Sequence, residues 1–201
     1  MQNAIAIITG DIVNSRLDKT NLWLNNLKDV LKKIGKEEQE WEIYRGDSFQ
    51  LQTEISTALI HALTIKAFIK QNKLTDVRMA IGIGSKTNNT SKITQANGSA
   101  FINSGDCFNQ LKKERIAIKT ANKEFDHTLN LMLKLASLTI NHWTPATSYI
   151  IGQSLTHCLN QKELANKLNK SQSTVSEALN RGGFDSIMDL NQYYQNQVQK
   201  L

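Results

Sequence analysis

Cysteine is scarce in this chain, with Cys107 and Cys158 alone among 201 residues. Two thiols cannot build a disulfide framework or a four-thiolate zinc site, so reduced thiols and a cytoplasmic location are the expectation. Proline occurs once, at Pro145. Long apolar runs are missing too: stretches such as Ala4–Ile8 are far too short to span a bilayer. The opening Met1-Gln-Asn-Ala has neither the basic patch nor the apolar core of a signal peptide. No membrane partner is expected. The four histidines, His61, His127, His142 and His157, have no metal-ligand spacing. What is present is the composition of a folded protein, since 40% hydrophobic and 21% charged residues exclude wholesale disorder. Lys and Arg number 24 against 18 Asp and Glu, a net +6. That charge permits nucleic acid or another polyanion as partner without requiring one.

The chain divides near residue 120. Before it, short β-branched runs alternate with amphipathic stretches; after it, only helical periodicity appears. Ala4–Thr9 is a continuous apolar run that Gly10-Asp11 ends, which predicts a buried central strand. Residues 19–35 place Trp23, Leu27, Val30, Leu31 and Ile34 on one helical face, with Gly35 as cap. Trp41–Tyr44 and Phe49–Thr53 alternate apolar and polar residues around Arg45-Gly46-Asp47, which predicts a β-hairpin. A helix over 55–72, a strand over Val77–Ile83, a helix near 99–113 and a short strand at Ile116–Ile118 follow. The order β-α-β-β-α-β, then α-β, is the ferredoxin-like pattern of an α+β protein with one extra helix and strand. Right-handed crossovers place the first and third strands side by side, with helices on one face. Residues 1–120 form this sheet domain and residues 121–201 an all-α domain. Arg78 is expected on the solvated face of its strand. Gly82 and Gly84 suggest a close approach, through a bulge, a turn or a ligand.

The end of the first strand and the hairpin turn become neighbours in that topology, bringing Asp11 and Asp47 together. Two carboxylates at close range repel unless a cation separates them. Mg²⁺ would resolve the repulsion and hold a phosphate-bearing ligand such as a nucleotide. Gly10 and Gly46, which precede the two Asp residues, allow a close backbone approach. With Arg16, Arg45 and Ser48 they complete the candidate ligand site. A Gly-Asp pair is equally an ordinary turn in which the carboxylate bonds its own backbone, and Arg16 has Asp18 as an alternative partner.

The most specific motif lies at residues 160–181. Asn160 and Glu163 have the spacing of a capping box. Leu164, Ala165 and Leu168 form an inward face. Asn169-Lys-Ser171 is a short turn in which Asn can take a positive φ. Ser171 or Ser173 then caps a second helix with Val175, Ala178 and Leu179 inward. This is the spacing of a DNA-binding helix-turn-helix. Lys162, Lys167 and Lys170 flank the turn. The second helix presents Gln172, Ser173, Thr174, Ser176, Glu177, Asn180 and Arg181, residue types that contact bases and phosphates; Ser171 precedes them. Duplex DNA is the expected partner. One such helix contacts few base pairs, so a homodimer is expected. Phe184–Gln199 either closes the helical domain or forms a dimer seam.

These elements together resemble the SatD family of bacterial proteins, a likeness that covers nearly the whole chain. It is carried by Ile8-Thr-Gly-Asp-Ile-Val-Asn-Ser-Arg16, Arg45-Gly-Asp-Ser-Phe-Gln50, Arg78-Met-Ala-Ile-Gly-Ile-Gly84, Asn97-Gly-Ser-Ala-Phe101 and the 160–181 motif. More distantly, the first domain is similar to nucleotidyl cyclase and GGDEF domains. That resemblance implies that positions matching Asp11 and Asp47 hold the metals that bind a nucleoside triphosphate. Ser48 stands where a GGDEF-type signature continues with an acidic residue, leaving the cluster one carboxylate short. The expectation is a transcriptional regulator whose first domain senses a metal-nucleotide or another phosphorylated ligand. The alternative is a metal-dependent nucleotide-processing enzyme, a cyclase or nucleotidyltransferase.

Overall fold

A computed structural model of the chain describes residues 4–18, 20, 22–88, 90–157 and 159–201. Cys158 and the first residues of the helix expected over 19–35, positions 19 and 21, lie outside the described residues. The protein is α+β. Its first part runs β1 (Ala4–Val13), α1 (Leu22–Ile34), β2 (Trp41–Tyr44), β3 (Ser48–Thr53), α2 (Ala58–Ile69), β4 (Asp76–Ser85), α3 (Ser99–Gln110) and β5 (Ile116–Lys119). The second part holds α4 (Lys123–Ile140), α5 (Pro145–Thr156), α6 (Gln161–Lys167), α7 (Gln172–Arg181) and α8 (Phe184–Val198). The five strands form one mixed sheet in the order β2-β3-β1-β4-β5. Every pairing is antiparallel except β4 with β5. Among the described residues no helix is long and apolar enough to cross a membrane.

The apolar run of β1 does take a central position, yet the strand does not stop at Gly10-Asp11. It continues to Val13, because β3 and β4 both extend far enough to pair with that end: Asp11 lies opposite Ser48 on one side and Arg78 on the other. Gly10 is inside the ladder and makes no turn. A Cβ there would come 2.6 Å from the Phe49 ring and 2.9 Å from the Arg78 carbonyl, so this glycine serves sheet packing. The hairpin between β2 and β3 forms as predicted. Its turn has Arg45 at φ 51° and Gly46 at φ 88°, the left-handed geometry such turns need.

The sheet is covered on both faces, which corrects the expectation of helices on one face. Ala6, Ile8 and Ile12 of β1 share the large buried cluster with residues of α1 and α2, whereas Ile7 packs with Ile93 and Ala100 on the other side. There α3 lies against β4. Gly82 and Gly84 are what let it approach: a Cβ on Gly82 would sit 2.2 Å from the Ser104 nitrogen and 2.3 Å from the Ala100 carbonyl. Neither a bulge nor a turn is involved, since both glycines pair regularly with β1.

On the first face α2 is buried nearly all round, sheet on one side and α5 on the other. The helical part joins the same core: Phe125, Leu133, Ile151, Leu179 and Tyr194 belong to one buried cluster with the sheet residues. Polar ties cross between the parts. The Asn130 side chain of α4 accepts from the Ile118 amide of β5 and donates to the Ile118 carbonyl, each at 2.8 Å. Lys66 of α2 donates to Asn141 after α4 at 2.9 Å, and the Tyr194 hydroxyl of α8 donates to the Ile55 carbonyl. The inward residues Ile187, Leu190, Tyr194 and Val198 of α8 are buried within this monomer, so that helix closes the helical part.

Candidate functional site

At the end of β1 the two expected metal ligands have separate partners. Arg78 sits directly across from Asp11 in the ladder, and its Nε donates to Asp11 Oδ1 at 2.9 Å while Nη2 donates to Oδ2. The guanidinium also lies 5.4 Å from the centre of the Phe108 ring on α3. Arg78 is therefore about a third exposed and held on two sides, not extended into solvent as expected. The bond to Asp11 holds its pKa above the ordinary arginine value. Asp47 Oδ2 accepts a 2.7 Å hydrogen bond from the Ser15 hydroxyl, and its carbonyl accepts from the Ile12 amide at 3.0 Å. Among the described residues no three His, Cys, Asp or Glu side chains gather as a metal group. A divalent ion between Asp11 and Asp47 does not fit the arrangement as it stands, because a guanidinium already neutralises Asp11.

The remaining candidates fall into three places. Arg16 and Asp47, with Ile12, Asn14, Ser15 and Leu17, line a recess of about 460 Å³ beside the hairpin. Asn14 makes its corner in the left-handed region, at φ 62°. Arg16 is exposed, and Asp18 is occupied elsewhere: it accepts from Thr20, from the Trp23 amide and from Asn72 at 2.6 Å. The Thr20 hydroxyl, more than the other donors, holds the Asp18 carboxyl below its ordinary value. Gly10, Asp11 and Ser48 lie within the strands, with Ser48 half-buried. Arg45 and Gly46 form the exposed tip of the turn. Tyr44 lies across from Ser48 on the edge strand. Burial raises its phenol pKa, and the Asp11 charge adds to that. Sequence reasoning missed Arg78 as the partner of Asp11 and Ser15 as that of Asp47.

The second candidate site is the unit α6–turn–α7. Glu163 donates its amide to Asn160 Oδ1 at 3.0 Å and returns its carboxylate to the Asn160 amide at 3.0 Å, a complete capping box. Asn169 carries the turn at φ 53°. Ser171, not Ser173, caps α7, accepting from the Thr174 amide at 3.1 Å. Leu164, Ala165, Val175, Ala178 and Leu179 are buried between the helices and the rest of the core. Small Ala165 lets the axes cross closely.

Compared with protein-family models, with curated proteins and with solved structures, the chain matches none.

The outward side of α7 is free. Gln172, Ser173, Thr174, Glu177, Asn180 and Arg181 are exposed, as are Lys162, Lys170 and Ser171, while Ser176 is half-buried. The hydroxyl of Ser171 is committed to its cap. Arg181 and Glu177 stand 4.0 Å apart as a fully solvated pair, which water and salt weaken. Gly182, after α7, accepts from the buried indole of Trp143 at 2.9 Å, tying the end of α7 to the α4–α5 corner. Cys107 is buried on α3 next to Phe108, and burial pushes its thiol up to about 12, away from the reactive thiolate form.

Proposed function

We propose that the protein is a DNA-binding regulator of the SatD type. In this reading residues 1–120 are a ferredoxin-like, nucleotidyl-cyclase-like sensing domain and residues 121–201 a helix-turn-helix domain. The observation that carries the reading is the capped α6–turn–α7 unit, whose second helix buries Val175, Ala178 and Leu179 and leaves Gln172, Asn180 and Arg181 free for a groove. Four basic residues, Lys162, Lys167, Lys170 and Arg181, surround it against Glu163 and Glu177. Gel-shift affinity for duplex DNA is expected to fall steeply with salt as Lys and Arg contacts release counterions. Replacing Gln172 or Asn180 with Ala is expected to change sequence preference by about 1–3 kcal/mol. No binding to any duplex at low salt, or binding indifferent to salt, would sink the reading.

The strand order β2-β3-β1-β4 supports a ferredoxin-like sheet, and the recess beside Asp47 is the place for a phosphorylated ligand. Arg16 supplies positive charge there and Asp47 a carboxylate. Because Arg78 already neutralises Asp11, Mg²⁺ enters with the phosphates of a nucleotide and not into a preformed protein cage. The expected result is a melting temperature raised by Mg²⁺ and nucleoside triphosphate together, by preferential binding to the folded state, and little raised by Mg²⁺ alone. Asp47→Asn is expected to remove the rise. The same rise with Mg²⁺ alone would restore a preformed metal site. Steady conversion of the triphosphate would favour the enzyme over the regulator.

A further inference from the structure

We propose that this chain pairs with a second copy of itself through α4. The helix buries Phe125, Leu129, Leu133 and Ile140 against its own core. A second apolar stripe on the same helix has no partner: Leu131, Leu135 and Leu138 are 53%, 60% and 71% exposed. Their spacing of four and three places them on one face. A solvated helix face is normally polar, and between Leu131 and Leu138 the only charged residue is Lys134. Alongside runs a groove of about 480 Å³ between α4 and α8, floored by Met132, Ala136 and Tyr193.

The occupant follows from shape, charge and area. An apolar stripe can serve both copies at once, as a two-fold contact requires, with stripe packed on stripe across the axis and the groove at its edge. With Lys134 on α4 and Asp189 in the groove wall, the patch has no net charge to attract nucleic acid or an acidic peptide. The three leucines alone leave on the order of 300 Å² of apolar surface per copy in water, the size of the largest patch on an ordinary monomer. Two copies of the stripe with the groove surface would bury on the order of 800–900 Å², the size of a weak, concentration-dependent contact. A two-fold axis near Leu135 crosses the two α4 helices antiparallel and sets Leu131 against Leu138 of the second copy. The inference does not depend on DNA binding, although such a pair would present two α7 helices at once.

The test is molecular mass by sedimentation over about 1–200 µM, a range that brackets a micromolar Kd. The wild type is expected to approach twice the chain mass. Leu135→Glu and Leu138→Glu are each expected to halve that mass at the top of the range, with a circular-dichroism melt unchanged at concentrations below the Kd, because both leucines are solvated in the monomer. Leu135→Cys, at the axis, is expected to yield a covalent dimer on mild oxidation that the wild type does not form. A wild type that stays monomeric throughout, or a dimer that survives both Glu variants, overturns the proposal. Duplex binding by the monomeric variants, measured in parallel, reports on the DNA reading separately.

Discussion

Gly82→Ala is expected to cost about 3 kcal/mol or more, or to prevent folding. The added Cβ would lie 2.2 Å from the Ser104 nitrogen, 2.3 Å from the Ala100 carbonyl oxygen and 2.7 Å from the Ser104 Cα. All three are backbone atoms of α3, so no rotamer change relieves the clash and the helix must lift from the sheet. Overpacking that side chains can absorb costs about 1–3 kcal/mol; rigid backbone on one side and a central strand on the other put this case at or above that range. The same displacement would break the 3.0 Å bond between the Thr9 and Ser104 hydroxyls and withdraw Phe108 from Arg78. Gly105→Ala is the matched control. It lies in the same helix with nothing within 4 Å of an added Cβ, so it is expected to stabilise by about 0.5–1 kcal/mol through helix propensity. Urea denaturation of the two variants decides: equal stabilities would mean that α3 does not pack on β4 this closely.

Lys66→Met is expected to destabilise by about 1–2 kcal/mol at pH 7 and by more at higher pH. Lys66 is fully buried on α2, with its ammonium 2.7 Å from Asp76 Oδ1 and donating to Asn141 at 2.9 Å. Removing one member of a buried pair can cost about 3–5 kcal/mol. Here Asp76 is partly exposed and keeps Lys70 at 3.7 Å and Arg115 at 4.0 Å, which reduces the cost. Burial pushes the Lys66 pKa down to about 8 against the pull of Asp76, and Lys70 and Arg115 push it the same way as burial. The unfolded chain holds this proton up to its ordinary value of 10.5. Between those two values the unfolded state binds more protons, so the wild type gains stability as pH rises. Below about 8 both states are charged and the cost of burying the ammonium is present in full. The advantage of the wild type is therefore expected to widen by roughly 1–2 kcal/mol between pH 7.5 and 9.5, since one pKa unit corresponds to about 1.4 kcal/mol. Taking the difference between the two proteins cancels the opposite contributions of Cys107 and the buried tyrosines. A difference independent of pH would mean that Asp76 keeps Lys66 charged at its ordinary value.

Lys66 also marks a continuous line of contacts. Asp76 opens β4 opposite Val13, one residue before the recess at Asn14. Lys66 carries that carboxylate to Asn141, two residues before Trp143, whose indole holds Gly182 at the end of α7. The recess and the end of α7 are thus linked by a run of ion-pair, hydrogen-bond and chain-neighbour steps.

Features decided within a few residues were legible in the sequence. The capping box of Asn160 and Glu163, the left-handed Asn169, the Arg45-Gly46 turn and the inward stripe of α7 depend on neighbours three or four positions away, and all formed as their spacing implied. The central place of β1 was likewise written in its unbroken apolar run. Tertiary structure alone decided the rest. Asp11 meets Arg78 across 67 positions, and their shared face depends on a register that a shift of one residue would invert. The extension of β1 past Asp11 depended on how far β3 and β4 reach. That α3 covers the second face depended on Gly82 and Gly84 lining up under Ala100 and Ser104. Lys66 could be read only as a helical lysine until α5 closed over α2, because burial is a property of what the chain packs against and not of the residue itself.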